Sequence, residues 1–230
     1  MKIQGTADQA KSYINMLVHG QSGCGKTRLA RTLKKKPLII NVENGLLSLK
    51  GDDIPYVDCR SMADLRDVYG ELSSGKHEFE TIIIDSISEI GELCLSEAMT
   101  ALKQKAVSEN KKPEPRQAYA ALQEQMLPLL RAFRDLPLNC IFIAKQERVR
   151  DEASGMTLAS VLMPGAKVGQ ALPYLTDITC AMHSNVNEQG EVVEWLQCQR
   201  DNQFDAKDRS GKLQPQMPAN LQTIFDTINS

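Results

Sequence analysis

One octapeptide constrains this chain more than any other feature. Gly20-Gln21-Ser22-Gly23-Cys24-Gly25-Lys26-Thr27 satisfies G-x-x-x-x-G-K-[ST] at every fixed position. The mostly apolar run Tyr13–His19 precedes it and reads as a strand. From Lys26 the pattern turns helical, with Leu29, Ala30 and Leu33 on one face, until Pro37 ends it. A strand, a glycine-rich turn and a helix in that order wrap backbone N–H groups around a polyphosphate. The helix N-terminus adds partial positive charge. In such a loop Lys26 reaches the β- and γ-phosphates and Thr27 ligates Mg²⁺ through its hydroxyl. ATP and Mg²⁺ are therefore the expected ligands, against a chance match in a Gly-rich turn.

The rest of the chain alternates strands and helices. Leu38–Val42, Thr81–Ile84 and Cys140–Ala144 are short, continuous apolar runs, as expected of strands buried on both faces. Asp53–Asp58 reads as a further short strand. Helices are expected over about Met62–Leu72, capped by Ser61 and broken by Gly75, and over Ile87–Lys105 and Arg116–Arg134. Between the last two lies a polar loop, Ser108–Pro115, broken by two prolines. Residues 147–170 are polar and hold Gly155, Pro164, Gly165 and Gly169. They read as one long functional loop. Ile178–His183 and Val192–Gln199 form a hairpin turning at Asn187–Gly190, and a short helix near Leu221–Ile228 closes the chain. This order implies βαβ units and a mainly parallel sheet, with the hairpin at one edge.

Three polar residues at strand ends are candidates for chemistry. Asp85 follows Thr81-Ile82-Ile83-Ile84 and would hold Mg²⁺ through water, the Walker B role. The alternative is a cap on the next helix. Glu43 ends the strand Leu38–Val42 and could orient and deprotonate an attacking water. It could equally be a surface or capping carboxylate. Gln146 follows Cys140–Ala144 and could sense the γ-phosphate, or simply face solvent. His19, His77, His183 and Trp195 have no sequence neighbour that suggests catalysis and read as structural.

Composition excludes several classes. Lys plus Arg is 27 against 29 Asp plus Glu, with 42% hydrophobic residues, as in an ordinary globular domain. No apolar run is long enough for a membrane span, and Met1–Lys11 has no apolar leader segment. The six cysteines form no C-x-x-C pair and suit a reducing cytosol. The near-neutral total hides opposed regions. Residues 1–36 carry eight basic and one acidic residue, 52–100 three basic and twelve acidic, 101–117 five basic and two acidic. Such regions could face one another between subunits, or be ordinary solvated faces.

Taken together, the phosphate loop, Ile39-Ile40-Asn41-Val42-Glu43, Ile82-Ile83-Ile84-Asp85-Ser86 and Ile141-Phe142-Ile143-Ala144-Lys145-Gln146 resemble the RecA-like ATPase core. Ser86 where other branches carry Glu argues against a helicase-type or AAA+ Walker B. Glu43-Asn44-Gly45-Leu46-Leu47-Ser48-Leu49 and Ala206-Lys207-Asp208-Arg209-Ser210-Gly211 look more closely like compact phage nucleotide-binding proteins, including single-strand annealing proteins of the Sak-four type. The resemblance implies an α/β RecA-like P-loop NTPase core over 1–212, its mainly parallel sheet flanked by helices with a C-terminal β-hairpin at one edge. A tail with a short helix follows over 213–230. It makes Glu43 the catalytic base, with Lys26 and Gln146 beside it. Lys207 and Arg209 would act across a subunit interface, unless they belong to a charged turn.

The same resemblance implies an ATP-dependent single-stranded-DNA-binding or annealing protein of phage recombination or replication, in the bacterial cytoplasm. DNA would lie on two loops, one with Lys103, Lys105, Lys111, Lys112 and Arg116, the other with Arg148, Arg150 and Lys167. Expected partners are single-stranded DNA, further copies in a ring or filament and a single-strand-binding protein, with no membrane. The alternatives are a small-molecule kinase, which needs more lid arginines than 147–170 supplies, and a nucleotide-dependent protein-binding switch.

Overall fold

The computed structural model describes residues 13–150, 155 and 157–230. The opening segment read as leaderless lies outside them. The apolar runs become strands: β1 Asn15–Gly20, β2 Leu38–Asn41, β3 Tyr56–Asp58, β4 Thr81–Asp85 and β5 Asn139–Arg150. Next come β6 Thr157–Val161, β7 Ile178–Val186, β8 Val192–Gln197, β9 Lys207–Asp208 and β10 Gln216–Pro218. They form one sheet in the order β10-β8-β7-β1-β5-β4-β2-β3, with β6 on β5 and β9 on β7. From β7 through β3 every neighbouring pair along this order is parallel. The fold is the mainly parallel α/β class expected. The expected hairpin is β7–β8, and β10 adds an antiparallel strand beyond it.

The two-residue period of the strands sorts their side chains into two cores. Leu17, Ile40, Ile82, Ile84 and Phe142 point to one face. There they meet α1 Met62–Ser73, α2 Ile87–Ser108, α3 Pro115–Arg134 and α4 Ala166–Leu175. Met16, Val18, Ile39, Ile83, Ile141 and Ile143 point to the other. There they meet a 3₁₀ helix at Lys26–Thr32 and α5 Leu221–Asn229, which buries Leu221, Ile224 and Phe225. The tail is thus stapled behind the phosphate loop: the Leu221 N–H donates to Thr32 Oγ1 at 2.9 Å. At α1, Ser61 and Asp64 form a reciprocal capping box, a motif that stabilises a helix by about 1 kcal/mol.

One expectation is corrected. Residues 147–170 are not one long loop. β5 runs on through Gln146 to Arg150 and pairs antiparallel with β6, Gln146 opposite Val161 and Arg150 opposite Thr157. α4 follows, burying Val168, Leu172 and Leu175 at helical spacing. The stretch looked like a loop because a strand that leaves its sheet can be polar on both sides. Within the chain, Arg31 pairs with Asp52, Lys35 with Glu80 and Lys36 with Asp53 across the basic and acidic regions, and Lys34 pairs with Asp226.

All six cysteines are buried thiols. His183 stacks on Trp195 with ring centroids 4.0 Å apart, and His77 stacks on Phe79. No described helix is long and apolar enough to cross a membrane.

Candidate functional site

The phosphate loop leaves the C-terminal end of β1, the strand at the centre of the sheet. Its glycines are dictated by geometry. Gly23 and Gly25 have φ of 78° and 96°, where side chains are strained. A Cβ on Gly20 would lie 2.7 Å from Cys24 Sγ and 2.9 Å from the Met182 carbonyl. Lys26 folds back over the loop, its Nζ donating to the carbonyls of Gly20 (2.9 Å) and Gln21 (2.8 Å).

Thr27 and Asp85 meet although 58 residues apart: Thr27 Oγ1 donates to Asp85 Oδ2 at 2.5 Å. Asp85 ends β4 and is 4% exposed. Burial pushes its carboxyl above the usual range. The Thr27 hydrogen bond opposes this, Glu43 adds to it, and Lys26 and Lys145 oppose it. The Asp85 carbonyl also accepts from the N–H groups of Val42 (2.7 Å) and Glu43 (3.1 Å). The residue in the Walker B position thereby fixes where Glu43 leaves the sheet.

Nine of the residues singled out from sequence line one cavity of about 640 Å³, among them Gly20, Lys26, Thr27, Glu43, Asp85 and Gln146. Ser22, Gly23 and Gly25 are the others. Gln21 and Cys24 line an adjoining cavity that also reaches Gln146. Burial raises the Cys24 thiol, which keeps it protonated. The donor set suits a magnesium nucleotide. It offers a glycine cradle, one movable ammonium, a hydroxyl and a carboxylate side by side, and a second carboxylate across the cavity.

The other predicted residues lie elsewhere. Lys207 Nζ donates to the carbonyls of Thr176, at 2.5 Å, and Pro173 at the end of α4. Arg209 pairs with Asp177 at 3.3 Å and reaches the Tyr174 carbonyl at 3.4 Å. Lys207 is in register with Thr179, at the end of β7 away from Met182, the residue opposite Gly20. At about 3.3 Å per residue, both cations sit roughly 10 Å or more down the sheet from their own chain's phosphate loop. Lys103, Lys105, Lys111, Lys112 and Arg116 are exposed where α2 passes to α3, with Glu109 paired to both Lys105 and Lys111. Arg148 and Arg150 are exposed on the outer part of β5, and Lys167 in the first turn of α4. None of these eight lines the cavity.

Three side chains were missed. Lys145 lines the cavity and bridges Glu43, at 3.7 Å, and Glu89. Its place beside Gln146 at the end of an apolar strand is the same signal that marked Asp85. Glu194 on β8 pairs with Arg28 and leans against Gly25, so a Cβ there would collide with its carboxylate. His19 contacts Gln146. Nothing local in the sequence marks Glu194 or His19.

A family model described as AAA domain matches residues 12–210. Among solved structures, the chain is similar to the KaiC-like protein PH0186 from the hyperthermophilic archaeon Pyrococcus horikoshii OT3, at 14% identity and a TM-score of 0.42. It is similar to the flagellar accessory protein FlaH from Methanocaldococcus jannaschii, at 12% identity and a TM-score of 0.41. Each match covers 80% of this chain and 76% of the other. No curated protein matches the sequence.

Proposed function

The chain belongs to the AAA domain family, and from that premise we propose that it is a Mg²⁺-dependent ATPase that binds single-stranded DNA, annealing or loading strands in phage recombination or replication. One observation carries the ATPase part: the Thr27–Asp85 hydrogen bond shares a cavity with Lys26 and Glu43. Thr27 and Asp85 would hold Mg²⁺, which when bound would neutralise phosphate charge. Lys26 exchanges the carbonyls of Gly20 and Gln21 for phosphate oxygens. Glu43 orients the attacking water and takes its proton. Lys145 keeps that carboxylate in place from the other side.

The DNA part draws support from packing. A Cβ on Gly165 would sit 3.5 Å from Tyr119. The first turns of α3, with Arg116, and α4, with Lys167, are thus neighbours. One cation from each predicted DNA segment, Arg116 and Lys167, lies on those turns, and both are exposed. Lys111→Ala/Lys112→Ala tests the reading. If each lysine neutralises one phosphate, the slope of log affinity against log salt for single-stranded DNA becomes shallower by about 1.4. Binding by the wild type that is insensitive to both ATP and salt, measured by fluorescence anisotropy, would remove DNA from the function.

A further inference from the structure

His19 is the last residue of β1 before the phosphate loop and is fully buried. Its ring faces two polar atoms: Nε2 lies 2.7 Å from the carbonyl oxygen of Asp205, and Nδ1 lies 3.2 Å from Gln146 Oε1. A backbone carbonyl only accepts, so Nε2 carries a proton. Burial is the largest influence on the ring and favours its neutral form. Nδ1 of that tautomer is a bare acceptor. The two ends of a glutamine amide have the same shape, and only the NH₂ end can satisfy Nδ1. The amide must then be turned end for end, with its NH₂ in the place of Oε1 at the ring and its carbonyl oxygen pointing away, and Gln146 lines the nucleotide cavity.

The ring is itself held from behind. Asp205 donates its N–H to the Ala159 carbonyl of β6 at 2.9 Å, and β6 pairs with β5, with Val161 opposite Gln146. Gln146, His19, Asp205 and β6 therefore close a rigid loop that includes the sensing amide.

We propose that His19 is a positioning residue: it sets the polarity of Gln146, so that the cavity is offered a hydrogen-bond acceptor for the attacking water rather than a donor for phosphate. This rests on the ATPase reading of the site. It goes beyond it in assigning a residue and an orientation that neither the motif nor the family match contains.

Two measurements test it. The first needs no turnover. Long-range ¹H–¹⁵N correlation of the imidazoles, with His19 assigned among three histidines by a His19→Asn variant, should show a neutral ring protonated at Nε2 at neutral pH. A ring protonated at Nδ1, alone or as imidazolium, would overturn the proposal. The second is kinetic. His19→Leu should lower kcat roughly ten- to a hundredfold with little change in KM for ATP. His19→Asn, whose side-chain oxygen can stand in for Nδ1, should retain most of the activity. In a Gln146→Ala background, His19→Leu should cost nothing further. Multiplicative losses, or equal losses in the Asn and Leu variants, would mean that His19 only supports the fold. Should the Leu variant not fold, the Asn variant and the spectrum still decide. A folded wild type with no ATP turnover would instead overturn the ATPase reading, while the spectrum would still decide which way the amide points.

Discussion

Asp85 shows how a single residue sets function against stability. Its carboxyl is buried under the phosphate loop and titrates above the ordinary aspartate value of about 3.9. With the folded-state pKa raised, its contribution to stability is fully present below the unfolded value and is lost as pH rises through the folded one. At neutral pH burial therefore sets the carboxylate form of Asp85 against the stability of the metal-free protein, and a bound cation would relieve it. Asp85→Asn keeps an oxygen for Thr27 to donate to and removes the charge. The variant should melt above wild type at neutral pH in the absence of Mg²⁺, by about 2–4 °C for each kcal/mol relieved. The gap should close as the pH falls toward 4. Its Mg²⁺-dependent ATPase activity should fall at least about a hundredfold. Calorimetry across pH reads the first effect. A variant that melts lower than wild type at neutral pH would show that Asp85 is satisfied without a cation.

At the scale of elements, α2 and the turn after β6 lock together through an absent side chain. A Cβ on Gly91 would fall 2.7 Å from Pro164 and 2.8 Å from Met163. Helix propensity alone predicts that Gly91→Ala stabilises α2 by about 1 kcal/mol. Packing predicts the opposite sign, because overfilling a tight contact costs about 1–3 kcal/mol. Gly70 in α1 is the control: its Cβ would meet nothing within 4 Å. Gly70→Ala should raise the urea midpoint, and Gly91→Ala should lower it. Two rises would show that the 163–165 turn yields freely. The same elements mark what the sequence can reveal. Strands buried on both faces are legible because burial demands an unbroken apolar run, as in Thr81–Asp85. With the glycine motif, those runs locate Gly20–Thr27, Glu43, Asp85 and Gln146 from pattern alone. The outer half of β5 obeys no such demand, since its ladder with β6 is held by backbone hydrogen bonds that any residue can make. α4 did carry a signal, Val168, Leu172 and Leu175, masked by Gly169 and Pro173. Side chains that arrive from far along the chain, as Glu194 does at Gly25, leave no trace in local pattern.

For the molecule as a whole, the parallel sheet has two ends, and the site residues are divided between them. The nucleotide cavity opens where the strands end. Lys207 and Arg209 sit where β7 begins, on the far side of the sheet from their own phosphate loop. For them to reach the nucleotide of another copy of the chain, the copies would have to meet head to tail. The surroundings are compatible with a contact surface: Tyr174, whose carbonyl accepts from Arg209, is 78% exposed. Against this, both cations already have partners within the chain, Lys207 at the end of α4 and Arg209 at Asp177. A mixing experiment separates a cation that acts on a neighbour from one that only braces α4. Lys26→Ala lacks a working phosphate loop and retains Arg209, while Arg209→Ala has the reverse defect. Mixed in equal amounts at a concentration where wild type is active, the two should regain turnover. About a quarter of the interfaces would pair an intact loop with an intact arginine. If Arg209 only braces the end of α4, the mixture should turn over no faster than its two components measured separately. Arg209→Ala should then lower the melting temperature of the isolated chain, because the damage lies within one subunit.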